Sequence, residues 1–520
     1  MTVSPASFPF LRRASRWLVA LLALVAAGFA TVAALMFFWV LPNIAEHRDT
    51  VASLMSRALG QRVTLEAVSG VWQQARPEFR LRGVRLYDRQ GRPALYLPEL
   101  EAAFAWRSLL FLEPRFSRIE LQGLVLGVRR AQDGHFYVGG IPINPAAPDS
   151  GFSSWLLRQG QVHAGNATLT WLDEVRAAPP LTLTAVDLTL TNARWTHRLQ
   201  LRATPPSVLA RPLKIEAKLH ARYVDDPKTW NGTVDATVAG LSFPRLAAWL
   251  ALPRQPQQGW GALNIQFEVA RGALAGVAAG LDLHGIEAVL GDGLPALRLA
   301  QVRGQAVWRR GPDGQRVAFD NLRVARPGAA LGAPFNAGLS WGATSREITA
   351  QALSLAGWQS LLPSLPMDAA LRARLQTLQP QGRFEVLRFG WNGVQPGLDN
   401  FSIAARFSGL GVAAVDKQPG VSNLNGHIEG DARAGVYEID SQQMKLSLPD
   451  LFHETSFGID SLHARGKWET TPRGHRLTLG DLAFSNRDMA GTAKGNYEMI
   501  PGQRGIIDLT AHLSRADGTA

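Results

Sequence analysis

The chain has 520 residues, 46% of them hydrophobic and only 18% charged, with a net charge of +12. It contains no cysteine, which excludes disulfides, thiolate metal sites and cysteine nucleophiles. The high apolar fraction, with 50 glycines and 31 prolines, excludes a disordered or low-complexity chain.

Arg12, Arg13 and Arg16 precede the first apolar run, and no run of five basic residues occurs anywhere. Without a clustered basic face, a nucleic-acid partner is not expected. A solvated basic surface is the plain reading, and attraction to anionic lipid head groups is the functional one. Trp17 to Val40 then runs for 24 residues without a charge. As a helix it would be about 36 Å long, enough to cross a hydrocarbon core of ~30 Å. The run is longer than a cleaved leader needs and ends in Phe37, Phe38 and Trp39, which suit a membrane interface. The arginines before it put residues 1–16 in the cytoplasm, residues 17–40 in the membrane and everything after on the far side. No later stretch approaches 18 apolar residues, so a single pass is expected.

Residues 43–60 carry a helical period in Ile44, Val51, Leu54, Met55 and Leu59, closed by Gly60. From residue 61 the period falls to two. Leu263, Ile265, Phe267 and Val269 alternate with Asn264, Gln266 and Glu268. Leu181 and Leu183 share a face with Ala185, and Val186, Leu188 and Leu190 carry the apolar face after a one-residue slip. Such a slip is what a β-bulge leaves in a sequence. Strand alternation recurs around 119–128, 169–171, 213–219, 234–238, 401–407 and 477–484. Turn signals separate these runs at Asp133-Gly134, Asn231-Gly232, Asp292-Gly293, Asp313-Gly314 and Asn425-Gly426. The best later helical segments are Phe243 to Leu252 and Leu355 to Leu365.

A doubly wound fold would alternate strands and helices, and this chain does not. Strands with one apolar and one polar face predict antiparallel sheet, and the length favours growth by repetition. The expectation is a mainly β protein: one N-terminal transmembrane helix, then a long antiparallel curled sheet of roughly 25 to 35 strands with a few short helices. Its parts are an amphipathic helix over 43–60, a first β segment over 61–140, a linker over 141–154 and a continuing β region over 155–520.

After the apolar run come "LPNIAEHRDTVASLMSRALGQRVTLEAVSGVWQ" and "FRLRGVRLYDRQGRPALYLPELEAAFAWRSLLFLEPRFSRIELQGLVLGVRRAQDGHFYVGGI", then "GQVHAGNATLTWLDE" and "LQLRATPP". These stretches resemble the start of the YhdP-type proteins, AsmA-like (AsmA/TamB-related) proteins of the bacterial envelope. The recurring element is a "GVRL" strand, a turn with glycine, a "LPELEAAF" strand and a short "SLL" end. The resemblance is most specific over about residues 10–250. It implies a single inner-membrane anchor and a periplasmic sheet curled into an apolar groove. Along that groove phospholipid would travel between inner and outer membranes, supporting the outer-membrane permeability barrier. The partners it implies are phospholipids, the inner membrane, and the outer membrane or envelope proteins. Such proteins are expected to be more than twice this length, and "LTAHLSRADGTA" reads as the middle of their pattern, so an incomplete C-terminus is expected.

The residues expected to line the groove are Leu181, Leu183, Val186, Leu188, Leu190, Leu263, Ile265, Phe267 and Val269. A groove of this kind needs no catalytic residue, cofactor or metal, because the sheet face itself is the solvent for acyl chains. The competing readings are an apolar face closed as an ordinary core, which would make the protein an envelope scaffold or assembly factor, and a hydrolase. The hydrolase reading rests on Gly338-Leu-Ser340-Trp-Gly342, a match to G-x-S-x-G. That motif needs a strand, a sharp turn and a helix, whereas alternation here runs straight through Ser340. The 11 histidines are scattered, with no H-E-x-x-H pattern; His163 and His220 read as strand-edge or surface residues. Asp173-Glu174 and Asp225-Asp226 read as solvated loop ends. Asn166-Ala-Thr and Asn231-Gly-Thr match the glycosylation pattern, which has no meaning in a bacterial envelope.

Overall fold

The structure is a computed structural model. It describes residues 9–59, 62–73, 76–87, 93–108, 115–139, 141–143, 152–223, 226–250, 254, 256–415, 419–448, 456–500 and 505–516. The apolar run folds as expected. A helix over Pro9–Leu35 runs on through a wider turn at Met36–Val40, a short turn at Leu41–Asn43 and a tighter one at Ile44–His47 into a helix over Arg48–Leu59. From Arg16 to Arg57 its mean hydropathy reaches 2.5 over an 18-residue window. Residues 17–31 are exposed all round, while Leu41 and Ile44 are buried. Leu41 packs so closely on the strand Ala67–Gln73 that a Cβ on Gly70 would stand 2.7 Å from its Cδ2. Val51 and Met55 turn inward as their spacing requires, but Leu54 is 57% exposed. Gly60, the expected stop, lies outside the described residues.

The chain forms two compact units, one of Met1–Ser207 with Arg211–Val234, the other of Val208–Ala210 with Asp235–Ala520. Together their described residues hold 27 strands.

In the first unit the strands Arg76–Tyr87 and Pro93–Phe104 pair antiparallel, with Leu81 opposite Leu100, Val84 opposite Leu97 and Leu86 opposite Leu95. The "GVRL" and "LPELEAAF" stretches are thus the two arms of one hairpin; part of its turn, 88–92, lies outside the described residues. Their inward side chains meet Val63, Leu65, Val68, Val186 and Ala203 in a buried core that Ile44 caps from the helix. Among the described residues, two pairings depart from the antiparallel expectation. Phe116–Gln122 and Val125–Arg130 each pair in parallel with Gln161–Asp173. The connection passes through short strands at Phe136–Val138 and Ile141–Ile143 and a helix at Phe152–Leu157, which supplies the crossover that parallel neighbours need. The expected linker thus begins in a strand and ends in that helix; its residues 144–151 lie outside the described residues.

In the second unit, fourteen successive strands from Pro256–Ala270 to Ile506–Ala516 each pair antiparallel with the next. Helix is sparse. Phe243–Leu246 is one turn of the expected segment, and Leu355 to Leu365 folds as turns around a short 3-10 turn at Leu362–Ser364, because Pro363 cannot continue a helix. The longer helix is Ala369–Leu378, capped by Asp368, whose Oδ1 accepts from the backbone N–H groups of Ala370 and Leu371.

Candidate functional site

The register of the second unit lines up one face of the sheet. Phe267 stands opposite Val277, Val277 opposite Trp308, Trp308 opposite Val317, and Val317 opposite Leu339. The row passes through Ile348, Phe389 and Ile403, crosses Gly430 and Gly435, and ends in Trp468, Leu477, Tyr497 and Ile507. Two residues along the strands a second row begins Ile265–Ala279–Ala306–Phe319 and ends Gly466–Leu479–Gly495–Leu509. Because side chains alternate faces, both rows lie on the same side.

The opposite side is polar and threaded by cross-strand ion pairs. Asp282 accepts from Arg303 at 3.0 Å, and Glu438 accepts from Nη2 of Arg465 at 2.6 Å. The Arg303 hydrogen bond, helped by one from Gln301, holds the Asp282 carboxyl below its ordinary pKa; the Arg465 hydrogen bond does the same for Glu438.

The apolar side is not closed as a core. Leu339, Ile348 and Leu477 are 42%, 41% and 41% exposed and Ile507 is 70% exposed. Apolar surface left open over several strands is unusual in a water-soluble protein.

Bulges interrupt the rows at intervals. Asn321, in the left-handed region at φ 51°, donates its backbone N–H to Oδ1 of Asn336 at 2.8 Å. Asn336 donates to Gln351 at 3.0 Å, beside Ala352 at φ 57°. Further on, Gly409 donates to Oδ1 of Asn425 at 2.7 Å, and Asn425 donates to the fully buried Ser441 hydroxyl at 2.8 Å. Side-chain amides and hydroxyls thus satisfy the backbone groups that each bulge frees, and each bulge bends its strand. Apart from Asn425, read from the sequence as part of a turn, these residues were not foreseen; the signal that points to them is an Asn or Gly inside an alternating run.

The expected lining residues divide between the units. Leu263, Ile265, Phe267 and Val269 are half-buried and alternate with exposed Asn264, Gln266 and Glu268, as the pattern requires. In the first unit Val186 is only 5% exposed and belongs to the closed core, with Leu183 packed against it. Leu181, Leu188 and Leu190 are half-buried. The slip between these two sets is a bulge: Ala185 has φ 47°, and the ladder shifts register on both sides of it.

Ser340 lies mid-strand in Phe335–Trp341, opposite Arg316 on one side and Glu347 on the other. It edges a cavity of about 620 Å³ at the strand ends with Arg309, Arg316 and Glu347. No sharp strand-to-helix turn presents its hydroxyl, and histidine is not among the described residues lining that cavity. Among the described residues no group of three or more His, Cys, Asp or Glu is placed to hold a metal ion. His163 and His220 bond strand neighbours, Thr189 and Thr196, at 3.1 Å each.

A family model described as "YhdP protein" matches residues 1–520. No curated protein matches. No solved structure matches either.

Proposed function

Because the chain belongs to the YhdP protein family, we propose that it is an inner-membrane-anchored protein of the bacterial periplasm that guides phospholipid between inner and outer membranes. The carrying observation is the apolar face of the second unit, continuous through fourteen strands and left partly open. A methylene leaving water for such a surface gains about 0.8 kcal/mol, so acyl tails partition onto it without any catalytic step. Moving along it exchanges one apolar neighbour for another at little cost. The head group stays at the polar margin. The helix through residues 17–40 anchors the chain, with Arg12, Arg13 and Arg16 on the cytoplasmic side. The lining role falls on Leu263, Ile265, Phe267 and Val269 and on the rows that continue from them, rather than on Val186.

The test is native mass spectrometry of the full chain, released from mild detergent in the gas phase. Phospholipid should co-purify and be lost from a Leu339→Asp/Ile348→Asp double variant. Both residues are exposed, so the variant keeps its fold, which circular dichroism checks. Lipid bound equally by both proteins, or by neither, overturns the conduit and leaves an envelope scaffold.

A further inference from the structure

The N-terminal helix does not leave the sheet at the membrane surface. Phe37 meets the ring of Trp72 edge-on at 5.4 Å, and Trp72 meets Trp106 at 5.9 Å. Trp106 in turn reaches Phe29, with ring centroids 4.7 Å apart. Behind it, Phe104 contacts Trp106 at 6.0 Å and Phe116 at 6.4 Å. An aromatic file therefore joins the side of the helix to the first strands of the sheet. Trp106 stands just past the strand Pro93–Phe104, where the chain turns before Phe116–Gln122.

The helix fixes the depth of this file. At 1.5 Å per residue, Phe29 lies about 15 Å below Trp39 along the axis. Setting Trp39 at the head-group level puts Phe29 near the middle of a hydrocarbon core of ~30 Å. Setting the opposite boundary at Trp17 puts Phe29 about 18 Å from it and still about 12 Å inside the near one. In either placement a ring packed against Phe29 is below the interface, and one packed against Phe37 is close to it. Trp and Phe suit those depths, since an indole offers an apolar body and one N–H for the interface.

We propose that Trp106 is immersed in the bilayer beside the N-terminal helix, so that Phe104, Trp106 and Trp72 form a contact surface for lipid acyl chains at the start of the sheet. This rests on the reading of residues 17–40 as a membrane anchor. It gives the sheet a direct apolar junction with the bilayer, where an acyl chain need not cross water.

The absence of cysteine makes the depth measurable at single sites. The full chain, in nanodiscs of phosphatidylethanolamine and phosphatidylglycerol, is spin-labelled at Trp106→Cys, Phe29→Cys or Asp313→Cys. Collision with oxygen and with a water-soluble nickel chelate is then read by power saturation. The label at 106 should be open to oxygen and closed to nickel, within about twofold of the label at 29. The label at 313 should be open to nickel. An Arg107→Cys label keeps the indole in place, and its depth should follow that at 106. Nickel access at 106 and 107 with the label at 29 immersed overturns this inference alone. Low access to both reagents, meaning burial in protein instead of lipid, also overturns it. Nickel access at 29 overturns the anchor reading and this inference together.

Discussion

Trp468 lies across Gly435, its partner on the neighbouring strand, so closely that a Cβ on that glycine would stand 2.1 Å from Cζ2 of the indole. The ring also covers Gly430, where a Cβ would come within 2.7 Å, and its Nε1 donates to the Asp431 carbonyl at 2.8 Å. Two glycines in register thus make a flat bed for one large side chain on the apolar face. Gly435→Ala should force the indole off that bed and cost about 1–3 kcal/mol. Urea unfolding measures this. In a Trp468→Ala background the same substitution should cost much less, so a double-mutant cycle that shows additivity would contradict the packing account.

Ala352 holds a left-handed backbone at φ 57° within the strand Ser345–Ser354. An alanine there is strained by about 1–2 kcal/mol, part of which glycine returns as unfolded-state entropy. Ala352→Gly should therefore raise the unfolding free energy by roughly 0.5–1 kcal/mol. Ala352→Val should lower it. Chemical denaturation of the two variants would settle the sign, and a less stable glycine variant would mean that Ala352 is not held in this left-handed conformation.

Gln159 is fully buried at the join of the helix Phe152–Leu157 to the sheet. Its Oε1 accepts from the Phe116 backbone N–H at 2.8 Å, and its Nε2 donates to the Trp155 carbonyl. Gln159→Leu keeps the volume but strands that N–H, which should cost about 1–3 kcal/mol. Amide hydrogen exchange should find the Phe116 N–H less protected in the variant.

Acid should loosen the second unit through its polar face. Asp282 and Glu438 have carboxyl pKa values lowered in the fold, chiefly by the hydrogen bonds from Arg303 and Arg465. A lowered folded pKa stabilises the fold in full above the unfolded value, and that stabilisation is lost as pH falls through the folded value. Stability should thus decline below the ordinary carboxylate range. The decline should be shallower for Asp282→Asn with Glu438→Gln, whose neutral side chains leave nothing to titrate. Denaturation midpoints measured across the acid range would show whether the two slopes differ. Because both carboxylates are partly exposed, the difference should also shrink in high salt.

The strands were legible wherever alternation was clean. Leu263 to Val269 reads the same in sequence and in the sheet, and the slip at Ala185 marks its bulge. Asn425-Gly426 reads as a turn but lies inside the strand Gly420–Asp431, because Asn and Gly serve a bulge as readily as a hairpin. Asn231-Gly232 likewise opens a strand. Ala369–Leu378 escaped notice because its apolar stripe is weak and its stability comes in part from the Asp368 cap. The parallel pairing of Ile119 with Val162 has no local signature, since nothing near either residue records the other. Whether an apolar face is closed, as at Val186, or open, as at Leu339, is likewise a matter of what is stacked on it, and alternation is blind to that.

In the second unit each strand's partners are its neighbours in the chain, as Trp468 and Leu477 show from opposite sides of one hairpin. Contact order is therefore low for so large a sheet, and each new hairpin finds its template already in place. A chain made from its N-terminus can grow this sheet like a zipper, without waiting for distant segments to arrive. Excising or duplicating one whole hairpin leaves every remaining side chain on its own face, while a single strand gained or lost reverses the direction of all that follow. Length in this architecture is thus free to change in steps of two strands, a modular ruler set by the count of hairpins and independent of any one residue.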